Sequence, residues 1–274
     1  MLIQTVLAGC AGVIGTLTGG TPAFIILGLA GIIMVIMNAC GIDTTWFSEY
    51  VVNLMLLPAV IFNADVVGVA YMAKHRNDIN GYDTWRSLAF AMDWKVLLVG
   101  FFTGVVSWLL FSLVSYLNFP CDCGAFTVLT IAILTRLFLS KGRKYRNDGM
   151  MVLQKLPKNV WAFHILFSAV VAFVFAYFTE TTGYYMIGFY VSAFSLLLIL
   201  SDPVFPATHH ITLVAGYTMM TTHNLILAVI LGVLAELICY AFTIVFNDKC
   251  STHVDAPTVP ILLFSTILFV LFGR

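Results

Sequence analysis

The chain has 274 residues, 61% of them hydrophobic and only 9% charged, with a mean hydropathy of +1.00. Soluble domains carry roughly 25% charged residues, so a chain this poor in charge lacks the means to cover a water-facing surface, and its solvent must be largely lipid. Thirteen basic and thirteen acidic residues cancel, so net charge points to neither nucleic acid nor an acidic partner.

A membrane-spanning helix needs about 20 mostly apolar residues. Ten segments are candidates: 2–19, 21–39, 49–73, 94–117, 124–140, 159–178, 184–201, 203–221, 223–246 and 256–272. Leu7-Ala8-Gly9-Cys10 imitates a lipoprotein cleavage box, but no basic residue precedes it and the apolar run before it is short, so it reads as a first membrane helix. Only Gly19-Gly20 parts the first two segments, and only Asp202-Pro203 parts the seventh from the eighth. Residues 80–93 place Trp85, Leu88 and Met92 on one side and read as a short surface helix or an amphipathic loop. Arg136 to Lys158 holds seven basic residues against one acid, Asp148, which the positive-inside bias assigns to the cytoplasm. Loop 74–93, with Lys74, Arg76 and Arg86, then falls on the same side, while 40–48, 118–123 and 179–183 fall outside with Asp43, Asp122 and Glu180.

The two halves resemble each other. Pro58–Tyr71 reads like Pro203–Tyr217 with one inserted residue, Gly104–Trp108 like Gly232–Glu236, and Ala125–Val128 like Ala256–Val259. The expected fold is an all-α polytopic membrane protein, with two five-helix repeats over 1–140 and 158–274 joined by a basic cytoplasmic connector, 141–157. An odd number of spans per repeat inverts the second half, a plan common in secondary transporters, with Pro-broken or re-entrant segments near 58–65 and 203–210.

Ionisable groups within apolar segments need a partner or a purpose, since each costs about 2.5–3.5 kcal/mol on insertion scales. The densest cluster is Asp202, then Thr208, His209 and His210 after Pro206, a proline that frees backbone groups to face a cavity. Register pairs His209 with Asn63, and Asp65 lies two residues on. Glu236 stands in a helix with no basic residue and reads as a proton carrier. His253 and Asp255 precede the last helix, as a gate or a simple cap. His164, alone in an aromatic helix, reads as a core histidine, and Gly9, Gly12, Gly15, Gly28 and Gly31 as close-packing positions. Six scattered cysteines make no disulfide framework, and Cys121-Asp122-Cys123 is a weak soft-metal signal.

No nucleotide-binding, hydrolase, zinc-protease or potassium-filter motif is present. The expected function is secondary transport of a small solute or ion, coupled to a proton or cation and needing no cofactor. Asn63, Asp65, Thr208, His209, His210 and Glu236 would form the site, with Asp202, His253 and Asp255 as gate or secondary residues. The partners are the lipid bilayer and the solute, with a homo-oligomer compatible. The alternatives are a passive channel for a small polar solute or ion, and an intramembrane hydrolase using a transition metal on His209 and His210.

Overall fold

A proline has no amide hydrogen and drives the residue before it out of helical geometry, and this rule shapes the bundle. In the computed structural model, which describes residues 1–202 and 204–273, the regular elements are all helices. They are α1 (Leu2–Thr18), α2 (Gly20–Ala39), α3 (Ile61–His75), α4 (Trp94–Tyr116), α5 (Cys123–Leu139), the short α6 (Gly149–Gln154), α7 (Lys158–Thr182), α8 (Ile187–Ser195), α9 (His209–Thr222), α10 (Leu225–Phe242) and α11 (Thr258–Phe272). A π-helix, Phe47–Met55, leads toward α3, and another, Thr243–Asn247, extends α10.

The ten expected spans resolve unevenly. Among the described residues, four helices are long and apolar enough to cross a membrane: α2, α4, α7, and α10 with its π-helical extension. The remaining apolar helices, α1, α5, α8 with the 3-10 turn after it, and α11, are shorter. Segment 49–73 is no single helix: the π-helix ends at Met55, the chain turns around Pro58, and α3 starts at Ile61. Segment 203–221 likewise becomes helical only at His209, after the non-helical stretch containing Pro206; Pro203 lies outside the described residues. Gly19, at φ +90°, makes the break between α1 and α2, a backbone state that glycine adopts without strain.

The two halves pack in the same pattern. In the first, α1 lies against α3 and α4, and α3 against α4 and α5; in the second, α7 lies against α9 and α10, and α9 against α10 and α11. The halves touch each other through α2 on α8 and α5 on α11. The matched glycines occupy matched crossings: a Cβ at Gly104 would come 2.2 Å from the Ala8 carbonyl of α1, and one at Gly232 would come 2.5 Å from the Ala172 Cβ of α7. Small residues also set the contact between the halves, where Gly28 of α2 abuts the backbone of α8 at Phe194.

Residues 80–93 form no surface helix beyond the 3-10 turn Leu88–Ala91. Trp85 turns inward, Leu88 is buried and Met92 is exposed, so the three do not share a side. Tertiary hydrogen bonds decide this: the Thr21 amide donates to the Thr84 carbonyl at 2.9 Å, and the two threonine hydroxyls lie 2.8 Å apart. At the edge of this loop Arg76 grips Asp78 with two bonds, of 2.8 and 2.7 Å, which brings the Asp78 carboxyl down to about 2.

One end of the bundle gathers the basic segments. Lys74 donates to the Phe138 carbonyl, Ser251 to the Arg143 carbonyl, and Arg146 pairs with Asp248. Arg136, which orientation alone seemed to explain, is buried there. Its guanidinium donates to the Thr252 hydroxyl and carbonyl, the Lys144 and Phe246 carbonyls and the Asn247 side chain, tying α5 to the segment before α11.

The crossing of α1 on α4 is the most sensitive to bulk, because a Cβ at Gly12 would sit 2.1 Å from the Gly100 carbonyl. Gly12→Val should therefore lower stability by about 1–3 kcal/mol through overpacking, whereas Gly142→Ala, whose Cβ would lie at an ordinary 3.5 Å from the Ser251 Cβ, should cost less. Thermal unfolding of detergent-purified protein checks the order, and an unchanged melting temperature for Gly12→Val would contradict this packing.

Candidate functional site

The breaks before α3 and α9 matter because of what they surround. A cavity of about 750 Å³ lies between the two halves, within the range of small-molecule sites. Four helix starts border it: Pro58 and Phe62 at α3, Gly124 and Ala125 at α5, Ala207 and His209 at α9, Pro257 and Thr258 at α11. Thr21 and Phe24 of α2, Phe189 of α8 and the inturned residues 82–85 complete much of the wall.

His209 is the central polar group. Its ring meets Phe24 and Phe189 edge-on, at centroid distances of 5.0 and 6.1 Å, and its buried Nδ1 has no hydrogen-bond partner. Across the wall, His253 lies 3.8 Å from Asp255, too far for a hydrogen bond, while its ring contacts Phe62 and Tyr82. Asp255 does not cap α11 with its side chain; its backbone carbonyl accepts from the Thr258 amide, and the carboxyl is left for the cavity. Asp122 does cap its helix, accepting from the Ala125 amide at 2.7 Å, and it also accepts from the Tyr217 hydroxyl of α9 at 2.5 Å. That bond joins the helix starting at the cavity in one half to the broken helix of the other.

His210 points elsewhere. Adjacent residues on a helix diverge by about 100°, and the rings of His209 and His210 stand 5.9 Å apart at 89°. Among the described residues, no group of three or more potential metal ligands is assembled. His210 instead binds Glu236 of α10 through Nε2 at 2.6 Å, and His164 of α7 binds the other carboxylate oxygen through Nδ1 at 2.6 Å. The carboxylate expected to lack a basic partner thus has two, each from another helix. His164 itself is stacked on Tyr240 at 3.9 Å.

The other sequence candidates lie outside the cavity wall. Asp65 is fully buried and accepts from the Gly20 amide at 2.8 Å, so it holds the start of α2 and pairs with neither Lys74 nor Arg76. Asn63 donates to the Ala59 carbonyl at 2.9 Å. Thr208 donates to Ser192 of α8 at 2.8 Å and leaves the first turn of α9 without a side-chain cap. Asp202 is exposed and accepts from the Val204 amide. The candidates therefore divide among a cavity set (His209, His253, Asp255), a buried His–Glu–His cluster (His164, His210, Glu236) and local structural bonds. The sequence reading missed Asp122 as a wall residue and Tyr217 as its partner. An Asp immediately before the helix start Cys123-Gly124-Ala125 is a visible cap signal, but its turn toward α9 is tertiary.

Residues 142–273 are similar to a family of unknown function (DUF7973). No curated protein and no solved structure matches the chain.

Substitutions at two positions separate these roles. Glu236→Leu should orphan two imidazoles, at about 1–3 kcal/mol for each unsatisfied buried group, while Glu236→Gln, which retains a polar contact to each, should lose clearly less; melting temperatures give the ranking. Asp65→Ala should cost about 1–2 kcal/mol, as for loss of a helix cap, and Asp65→Asn, which keeps an acceptor for Gly20, should remain near wild type. An Asp65→Asn protein as unstable as Asp65→Ala would show that the charge, not the acceptor, is what matters.

Proposed function

We propose that this chain is a multi-pass membrane protein that moves a small solute or ion by secondary transport, with the solute held in the cavity between two inverted halves. The observation that carries this reading is the cavity itself: it lies between halves of like packing and is bordered by interrupted helices from both. Such placement is characteristic of repeat-built transporters, in which one half rocks against the other around a central site. The exposed apolar faces of α4 and α7, with Phe102, Val106, Leu113, Phe163, Leu166 and Val170, support burial in lipid. The ten-segment topology, with an inverted second half, agrees with the gathering of residues 74, 136–148 and 248–251 at one end of the bundle. On the positive-inside bias that end is cytoplasmic.

Within this reading His209, His253 and Asp255 bind the solute, and Glu236 with His164 and His210 takes the coupling proton. The adjacency of His209 and His210 links the two: the first turn of α9 presents one imidazole to the cavity and the other to the carboxylate. Any shift of α9 on solute binding therefore alters the surroundings of Glu236. Asn63 and Asp65 become supports for the break rather than ligands.

The test is flux. Purified protein is first screened by thermal shift against small solutes, monovalent cations and divalent metals, since a ligand at 100 times its dissociation constant adds about 2.7 kcal/mol of stability. The hit is then loaded into proteoliposomes. Saturable uptake driven by a proton gradient, lost in His209→Ala and uncoupled from the gradient in Glu236→Gln, is the expected result. Uptake that rises linearly with solute and ignores the gradient would make the protein a channel. Stabilisation by a transition metal alone, without flux, would favour an intramembrane enzyme.

A further inference from the structure

The wall of the cavity restricts what it holds. Three carboxyl groups line it, Asp83, Asp122 and Asp255, and among the described lining residues there is no Lys or Arg. Among the described residues, the basic side chains on the wall are His209 and His253. The starts of α3, α9 and α11, none of them capped by a side chain, contribute about half a positive charge each. With neutral imidazoles, that leaves the wall negative. The carboxylates are also incompletely neutralised from within: Asp122 receives neutral donors, Asp83 receives the Trp85 amide at 3.1 Å, and Asp255 faces His253 beyond hydrogen-bond range.

Around the carboxyls stand aromatic faces and edges. Phe24, Phe62, Tyr82, Trp85 and Phe189 all reach the cavity. A bare metal ion needs a tight cage of oxygens, and about 750 Å³ of mostly apolar space is far larger than that. Carboxylates combined with aromatic rings suit a cation with an apolar body, which the rings attract through their π faces and the carboxylates neutralise.

We propose that the cavity binds a small organic cation, an amine or quaternary ammonium carrying an apolar group, seated between Asp255 and Asp83 against the aromatic wall. This rests on the reading of the cavity as the solute site and names the class of solute.

Three probes of like size and different charge test it in nanodisc-embedded protein by calorimetric titration: benzyltrimethylammonium, benzyl alcohol and phenylacetate. Benzyltrimethylammonium should bind at least about tenfold more tightly than either of the others, a difference of about 1.4 kcal/mol. Asp255→Asn should weaken it about tenfold, again about 1.4 kcal/mol. Asp83→Asn, in a loop outside the helices, is the second variant should the first fold poorly, and it should weaken binding in the same direction. Phenylacetate binding as tightly as the cation, sodium displacing the cation while itself stabilising the protein more strongly, or cation binding unchanged in both variants would overturn the proposal. So would the absence of cation binding at about 10 mM, a concentration that corresponds to less than about 3 kcal/mol of affinity. Phenylacetate bound in wild type but lost in His209→Ala would overturn the cation class while leaving the cavity as a solute site, and a failure of transport itself would appear only in the flux measurement.

Discussion

Backbone polar groups buried away from water must find partners, and in this protein two helices begin where that demand is hardest to meet. The first residues of α3 and α9 are buried, behind Pro58 and Pro206. At α3 the turn resolves the problem locally: the Ile61 amide donates to the Leu57 carbonyl and the Asn63 amide to the Pro58 carbonyl. At α9 the cap residue Thr208 turns its hydroxyl to Ser192, so the helix start faces the cavity without a side-chain acceptor. The cavity follows from helices that start in the interior.

The rest of the bundle holds these starts in place. Asp65 fixes the beginning of α2, Asp122 links α5 to α9 through Tyr217, and Arg136 fastens the far end of α5 to the segment before α11. Each is a charged side chain serving backbone or hydroxyl groups of another helix rather than an opposite charge. Where packing is apolar, glycines let helix backbones approach: Gly12, Gly100 and Gly104 between α1 and α4, Gly28 and Gly31 between α2 and α8. In an apolar solvent, van der Waals contact of this kind replaces the hydrophobic drive that assembles soluble bundles.

The cavity and the His164–Glu236–His210 cluster are neighbours with different chemistry. One is roomy, aromatic and lined by carboxyls; the other is closed, with both oxygens of one carboxylate held by imidazoles. The first turn of α9 belongs to both. A helix only 14 residues long, uncapped at its start and bonded at Tyr217 to the opposite half, is a suitable element to register events on both sides.

Composition and apolar run length determined the class of this protein, because too few charges exist to wet its surface and runs of Leu, Ile, Val and Phe permit only helices in lipid. Pro58, Pro206 and the glycine spacings located the breaks and the close crossings, since both residues act through local backbone geometry. His209, His210, Glu236, His253 and Asp255 were legible as costly polar groups in apolar surroundings. What they touch was not legible. Whether Asp65 lines a cavity or caps Gly20, whether Glu236 stands alone or between two histidines, and whether Trp85 lies on a surface or inside depend on which helices become neighbours. That is settled by contacts between residues far apart in the chain, 191 positions for the rings of Phe62 and His253, and no local pattern in the chain encodes them.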